Sequence, residues 1–255
     1  MSKTVALHLA CRGLNVNSCE LSIPAMREAI VSDPTELADS KIQLILAGEK
    51  LFAERGIEAA SLREIASAAG HGNNNAVRYH FGSKQGLIQA IFRHRVVQME
   101  PVRARMLEQI EAKGLTSDPR SLLEVISLPY FTLRAADGTF SYPAFMLQYL
   151  LYHRPRGVRH TADEAGALSP ALNRAQELLR ARIGYLDPDT VDRRILQSML
   201  TFVTAVIGAE NVVPRLSEAT YRSVIDDTLA QIVASLVLQQ HKPQANLLDC
   251  ILPES

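Results

Sequence analysis

Three consecutive asparagines, Asn73, Asn74 and Asn75, are followed within five residues by Arg78, Tyr79 and His80. This mixture suits the surface of a nucleic-acid duplex. An Asn amide can pair with both polar atoms of adenine's major-groove edge, and Arg can do the same with guanine or bind phosphate. Tyr hydroxyls and His ring nitrogens suit phosphate oxygens. Ser61 and Arg63 precede the cluster and Lys84 follows it. The local charge agrees: residues 40–100 hold eight Lys and Arg against five Asp and Glu, a net of +3 in a chain whose formal charge is zero. Positive charge is concentrated where phosphate contact would need it.

Such side chains work only if short elements hold them outward, and the surrounding pattern predicts those elements. Asp33-Pro34 reads as the cap and first position of a helix. Leu44, Ile45, Gly48, Leu51 and Phe52 then form one helical face, which Gly56 ends. Ser61 and Glu64 make a capping box for a second helix, with Leu62, Ile65, Ala66 and Ala69 on its inner face and Gly70 at its close. The turn Gly70-His71-Gly72 leads to Asn73 as cap of a third helix, whose Ala76, Val77 and Phe81 face inward. Gly82 breaks that helix. Ser83 opens a fourth, with Leu87, Ala90 and Ile91 apolar, running toward residue 110 past a possible kink at Pro101. Two short helices with small inner residues and a glycine turn predict a helix-turn-helix.

The stretch LILAGEKLFAERGIEAASLREIASAAGHGNNNAVRYHFGSKQGLIQAIF, with its LFAERG, S-x-R-E-I-A and Y-H-F-x-S-K-x-x-L segments, resembles the N-terminal domain of TetR-type transcriptional regulators. The resemblance covers residues 44–92. It implies a homodimeric, ligand-responsive repressor that binds a double-stranded DNA operator through three N-terminal helices and carries a divergent helical C-terminal domain. Carried over by position, Ser61, Arg63, Tyr79, His80 and Lys84 would face phosphates, and Asn73, Asn74 and Asn75 would lie near base edges. The chain departs from the pattern in two places. Gly70 and Phe81 are eleven residues apart where ten is usual, so the turn is one residue longer, and Arg78 stands where a tyrosine is usual.

The remaining sequence predicts an all-α protein. Helical candidates lie near 119–135, 142–153, 169–185, 189–211 and 217–239, separated by Asp137-Gly138, Pro155, Asp187-Pro188 and Pro214. The expected organisation is an arm (1–33), the helix-turn-helix unit (34–92), a ligand-binding and dimerisation domain (93–240) and a tail (241–255). Two stripes run along 189–211: Val191, Ile195, Met199, Phe202 and Val206 form one, and Leu196, Leu200, Val203 and Ile207 the other. In 217–239, Ile225, Leu229, Ile232 and Leu236 form a stripe flanked by Val233 and Val237. Helices apolar over so wide an arc bury two faces, in their own core or against a partner subunit. The resemblance, whose members dimerise through their last two long helices, favours the homodimer.

A small, largely apolar effector is expected between the helices of 119–185, where Phe131, Phe145, Tyr149 and Tyr152 are the candidate ligand residues. The basic run His153–His160 reads as an exposed loop. Cys11, Cys19 and Cys250 form neither a metal spacing nor an even disulfide set, which predicts a reducing, cytoplasmic setting. The apolar run Val5–Cys11 is broken by His8 and has no clean cleavage site, and no stretch approaches the roughly 20 apolar residues of a membrane span. No cofactor or metal site is expected. The competing reading is an all-α enzyme using the C-terminal pocket, but H-E-x-x-H, G-x-S-x-G and the phosphate-binding glycine loop are missing, and Asp226-Asp227 reads as solvated surface.

Overall fold

Capping chemistry sets where the helices begin. In the computed structural model, which describes residues 36–134, 139–163, 168–211 and 218–239, Ser61 caps one helix, Ser83 a second and Asp118 a third, each accepting a backbone N–H three residues on. Every regular element among the described residues is helical. The long helices are α1 (Glu36–Arg55), α4 (Lys84–Ala112), α8 (Pro188–Asn211) and α9 (Glu218–Val237). Between them lie the short α2 (Leu62–Ala68), α3 (Ala76–Phe81), α5 (Pro119–Ser127), α6 (Ser141–Gln148) and α7 (Pro170–Arg182). The arm 1–33, the Asp33-Pro34 cap, the Asp137-Gly138 and Pro214 turns, the three cysteines and the tail 241–255 lie outside the described residues. No helix among the described residues is long and apolar enough to cross a membrane.

Two expected helices end early. The α-helix expected over 119–135 stops at Ser127 and continues as a tighter 3-10 turn, Leu128–Leu133. Pro129 has no N–H to extend the α ladder. The helix expected over 142–153 stops at Gln148 and widens into a π-type turn, Tyr149–His153, just before Pro155. In contrast, α4 passes through Pro101 to Ala112, so the 92/93 boundary falls inside one continuous helix.

One core joins the N-terminal helices to the C-terminal ones. The Phe145 ring of α6 lies 6.0 Å from Phe52 of α1 and 5.4 Å from Phe92 of α4, and Phe92 meets Tyr149 at 4.7 Å. These geometries suit aromatic contact, at about 0.5–1.5 kcal/mol per pair beyond area burial. Gly48 lets α1 approach α4: a Cβ there would stand 2.8 Å from Leu87 Cδ2. Ile225, Leu229, Ile232 and Leu236 of α9 are all buried, as are Val191, Phe202, Val203 and Val206 of α8. Leu196, Leu200 and Ile207 remain only half covered.

At the junction of α1, α4 and α6 lies a charge pair that sequence reading missed. Arg95 donates Nε to Glu49 Oε2 (2.6 Å) and Nη2 to Glu49 Oε1 (2.8 Å), with Glu49 wholly buried. Ser141 at the start of α6 donates its hydroxyl to the same carboxylate, and Gln98 accepts from Arg95 at 2.7 Å. Removing one partner leaves the other charge buried without compensation. Glu49→Ala is expected to lower unfolding free energy by about 3–5 kcal/mol in urea melts, and adding Arg95→Met should recover at least half of that loss.

Burial of His94, His153 and His160 makes stability depend on pH. Burial, aided by Arg95, pushes the His94 imidazole down from its ordinary 6.5 to about 4. Burial likewise pushes His160 to about 4, with its ring 4.1 Å from Phe92. Each ring stays neutral in the fold but takes up a proton when unfolded below 6.5, so the unfolded state gains protons first. Stability should be flat above pH 6.5 and fall as pH drops toward 4, by up to about 1.4 kcal/mol per pH unit per histidine. His160→Gln should reduce that slope by about a third to a half; an unchanged slope assigns it elsewhere.

Candidate nucleic-acid interface

The presenting unit is built from the end of α1 to the start of α4. Ser61 Oγ accepts from the Glu64 N–H (3.2 Å), and Glu64 Oε2 accepts from the Ser61 N–H (2.9 Å), completing the predicted capping box. Arg55 at the end of α1 joins it, donating to Glu64 Oε1 at 2.9 Å. The Ser61 backbone bond, then its hydroxyl and Arg55, hold the Glu64 carboxyl below its usual range. At its other end α2 closes through a Schellman pair of bonds, His71 N–H to Ala66 O (2.9 Å) and Gly70 N–H to Ser67 O (3.0 Å), with Gly70 at φ +74°. Ile65, Ala66, Ala76 and Val77 are buried between α2 and α3. Tight packing of small inner residues leaves the polar ones outside.

The asparagines divide by role. Asn73 was expected to cap α3; instead Asn75 is its N-cap residue, and it makes no side-chain capping bond. Asn73 Oδ1 accepts the Asn75 N–H at 2.9 Å, closing an Asx turn within the extra-long loop. Its acceptor oxygen is therefore used locally. Asn74 and Asn75 are exposed, with no side-chain hydrogen bond to another described residue. Arg63, Arg78 and Tyr79 are exposed too, Tyr79 at 83%. Neither Arg63 nor Arg78 has an ion-pair partner among the described residues.

His80 and Lys84 are less free. The His80 ring is half-buried, edge-on to Tyr79 at 5.0 Å and 6.5 Å from His71. Lys84 Nζ donates to the carbonyls of Ile57 (2.8 Å) and Glu58 (2.9 Å), so it fastens the start of α4 to the loop after α1 and keeps one donor for an outside acceptor. His71, read only as a turn residue, sets its Nε2 3.3 Å from Ser40 Oγ, tying the turn to α1.

Comparison with known proteins places this geometry. Residues 44–91 match the family model described as bacterial regulatory proteins, tetR family. The presenting unit is similar to that of the tetR family. The HTH-type transcriptional repressor AcnR of Corynebacterium glutamicum is 31% identical over 86 residues, and so is AcnR of Corynebacterium efficiens. That alignment covers 34% of this chain and spans 42% of the length of those curated relatives. A crystal structure from Mesorhizobium loti, titled as a TetR-family transcriptional regulator, aligns over 79% of this chain and 98% of its own at 16% identity. Its TM-score is 0.38.

The four expected ligand residues have different surroundings. Phe145 and Tyr149 are fully buried core, and Tyr149 donates its hydroxyl to Val158 O (2.8 Å). Phe131 packs edge-on against Phe140, Phe202 and Tyr221. Tyr152 is 53% exposed, because the wide turn after Gln148 rotates it away from Tyr149. The basic run is only partly a loop surface: His153 is buried, His160 packs on Phe92, and Arg154 pairs with both Asp163 oxygens (2.9 and 3.2 Å). A cavity of about 1030 Å³ opens between α1, α4 and the 128–134 turn, and none of the four residues lines it. No cluster of three or more His, Cys, Asp or Glu that could hold a metal occurs among the described residues.

Gly86 is a further residue that the motif conceals. A Cβ at Gly86 would fall 1.9 Å from the Phe81 carbonyl oxygen, a backbone atom at the end of α3 that cannot swing aside. Gly86→Ala is expected to destabilise the chain by about 3 kcal/mol, at the upper end for overpacking, and to loosen α3. Thermal melts together with amide exchange at Val77 and Arg78 check this.

Proposed function

We propose that this chain is a transcriptional repressor that binds a palindromic DNA operator as a homodimer and leaves it when a small effector binds. The reading rests on one observation: within a tetR-type unit, the shared α2–α3 interior holds Arg63, Asn74, Arg78 and Tyr79 outward together. In a major groove the outer side of α3 would set Asn74 and Arg78 near base edges. Arg63, Tyr79 and the Ser61 hydroxyl, with the remaining donors of His80 and Lys84, would take phosphates. Phosphate contacts orient the protein and base contacts select the sequence.

One such unit covers only a few base pairs. The partly buried Leu196, Leu200 and Ile207 of α8 would add their remaining apolar surface to an isologous contact with a second chain. Two copies would then meet half-sites about 34–36 Å apart, and an effector favouring a different spacing of the two α3 helices would release them.

Selection of bound sites from random duplexes should return an inverted repeat, and titration of the best duplex should saturate at an even number of chains. Arg63→Ala should weaken binding to all sequences alike and lower the slope of log affinity against log salt by about one. Arg78→Ala should cost about 1–3 kcal/mol and relax preference at one base position. Failure to enrich any duplex overturns the reading.

A further inference from the structure

We propose that the groove between α1, α4 and the 128–134 turn binds an anionic amphiphile, a carboxylate or phosphate head on an apolar body, and that this molecule is the effector; the inference rests on the regulator reading above. The groove, about 1030 Å³, is large enough for such a molecule. Its described lining is one-sided in charge: Lys41, Arg93, Arg95 and Arg134 belong to it and no described Asp or Glu does, Arg134 being engaged over the Phe140 and Tyr221 rings. Arg95 is already neutralised by Glu49 beneath. Lys41 and Arg93 are exposed and have no carboxylate partner among the described residues; Lys41 Nζ stands 5.6 Å over the Phe81 ring. Ile42, Ile45, Leu46, Ala90 and Leu133 give the groove an apolar wall, and Gln89, Gln98 and Thr132 line it as well. A simple anion would leave that wall wet, and an uncharged hydrocarbon would leave the cations without a counter-charge.

The position of the groove gives the ligand leverage on the reading head. Lys41 to Leu46 belong to α1, and His80 and Phe81 to the end of α3. Thr132, Leu133, Arg134 and Ser141 belong to the C-terminal part, and Ser141 is a partner of the Glu49–Arg95 pair. A molecule filling the groove touches both sides of this joint, so it binds best at one angle between them and selects that angle. By linkage, its effect on DNA affinity equals DNA's effect on its own affinity, typically about 5- to 150-fold.

The test uses the full chain and dodecanoate as probe, with dodecanol and acetate as partial mimics, followed by calorimetric titration without DNA. Dodecanoate should bind, and each partial mimic should bind at least about tenfold more weakly. The double variant Lys41→Gln/Arg93→Gln, whose side chains lie at the surface, should melt as the parent does and lose at least about tenfold in dodecanoate affinity. No dodecanoate binding, equal binding of dodecanol, or unchanged binding by the double variant overturns the site. Operator affinity should fall at least about fivefold with dodecanoate present; an unchanged value overturns the effector role. A chain that binds its operator but not dodecanoate refutes this inference and leaves the regulator reading standing. One that binds dodecanoate but no DNA refutes the regulator reading and keeps the site.

Discussion

The buried pair of Glu49 and Arg95 sets the relation between the two parts of the chain. A carboxylate and a guanidinium taken out of water lose hydration worth several kcal/mol per ion, and only close, directional contact offsets that loss. Here both carboxylate oxygens meet guanidinium nitrogens, and Ser141 adds a hydroxyl. Apolar packing tolerates continuous sliding, whereas such a pair favours the discrete arrangements that keep its hydrogen bonds. It therefore ties α1, which carries the back of the helix-turn-helix unit, to α4 and the first turn of α6.

Around that fixed point, close approach is bought with glycine. Gly48 seats α1 on Leu87, and Gly86 lets α4 begin directly under the last carbonyl of α3. Neither glycine has positive φ, so their role is to remove a side chain from a contact. The turn between α2 and α3 is held by backbone bonds, by the Asn73 amide and by the contact of His71 with Ser40. With its inner face and turn so determined, the unit can turn Arg63, Asn74, Arg78 and Tyr79 outward together.

Charge then sorts the two surfaces of α1 and α4. Lys84 spends two donors on backbone carbonyls and acts mainly as a fastener. Arg93 and Lys41, elsewhere on the same helices, face a partly apolar groove that no described carboxylate lines. The mild positive balance of residues 40–100 thus does not all belong to one phosphate-binding face.

Much of this was legible in the residues themselves. The capping box at Ser61 and Glu64, the stops at Gly56, Gly70 and Gly82, and the apolar faces of the helices follow from local hydrogen bonding and 3.6-residue periodicity. Those are properties of neighbours in sequence. The exposed polar cluster at 61–84 was legible for the same reason. Partners distant in the chain were not: Glu49 with Arg95, His71 with Ser40, and Lys84 with the carbonyls after α1 arise only when helices cross. The aromatic residues 131–152 show the same limit. Composition marked them as an apolar cluster, but packing made Phe145 and Tyr149 core, a widened turn put Tyr152 in water, and the open space formed where three elements fail to meet. Local rules fix which face of each helix is apolar; the docking of those faces decides which polar groups are used up in holding the fold and which remain to bind.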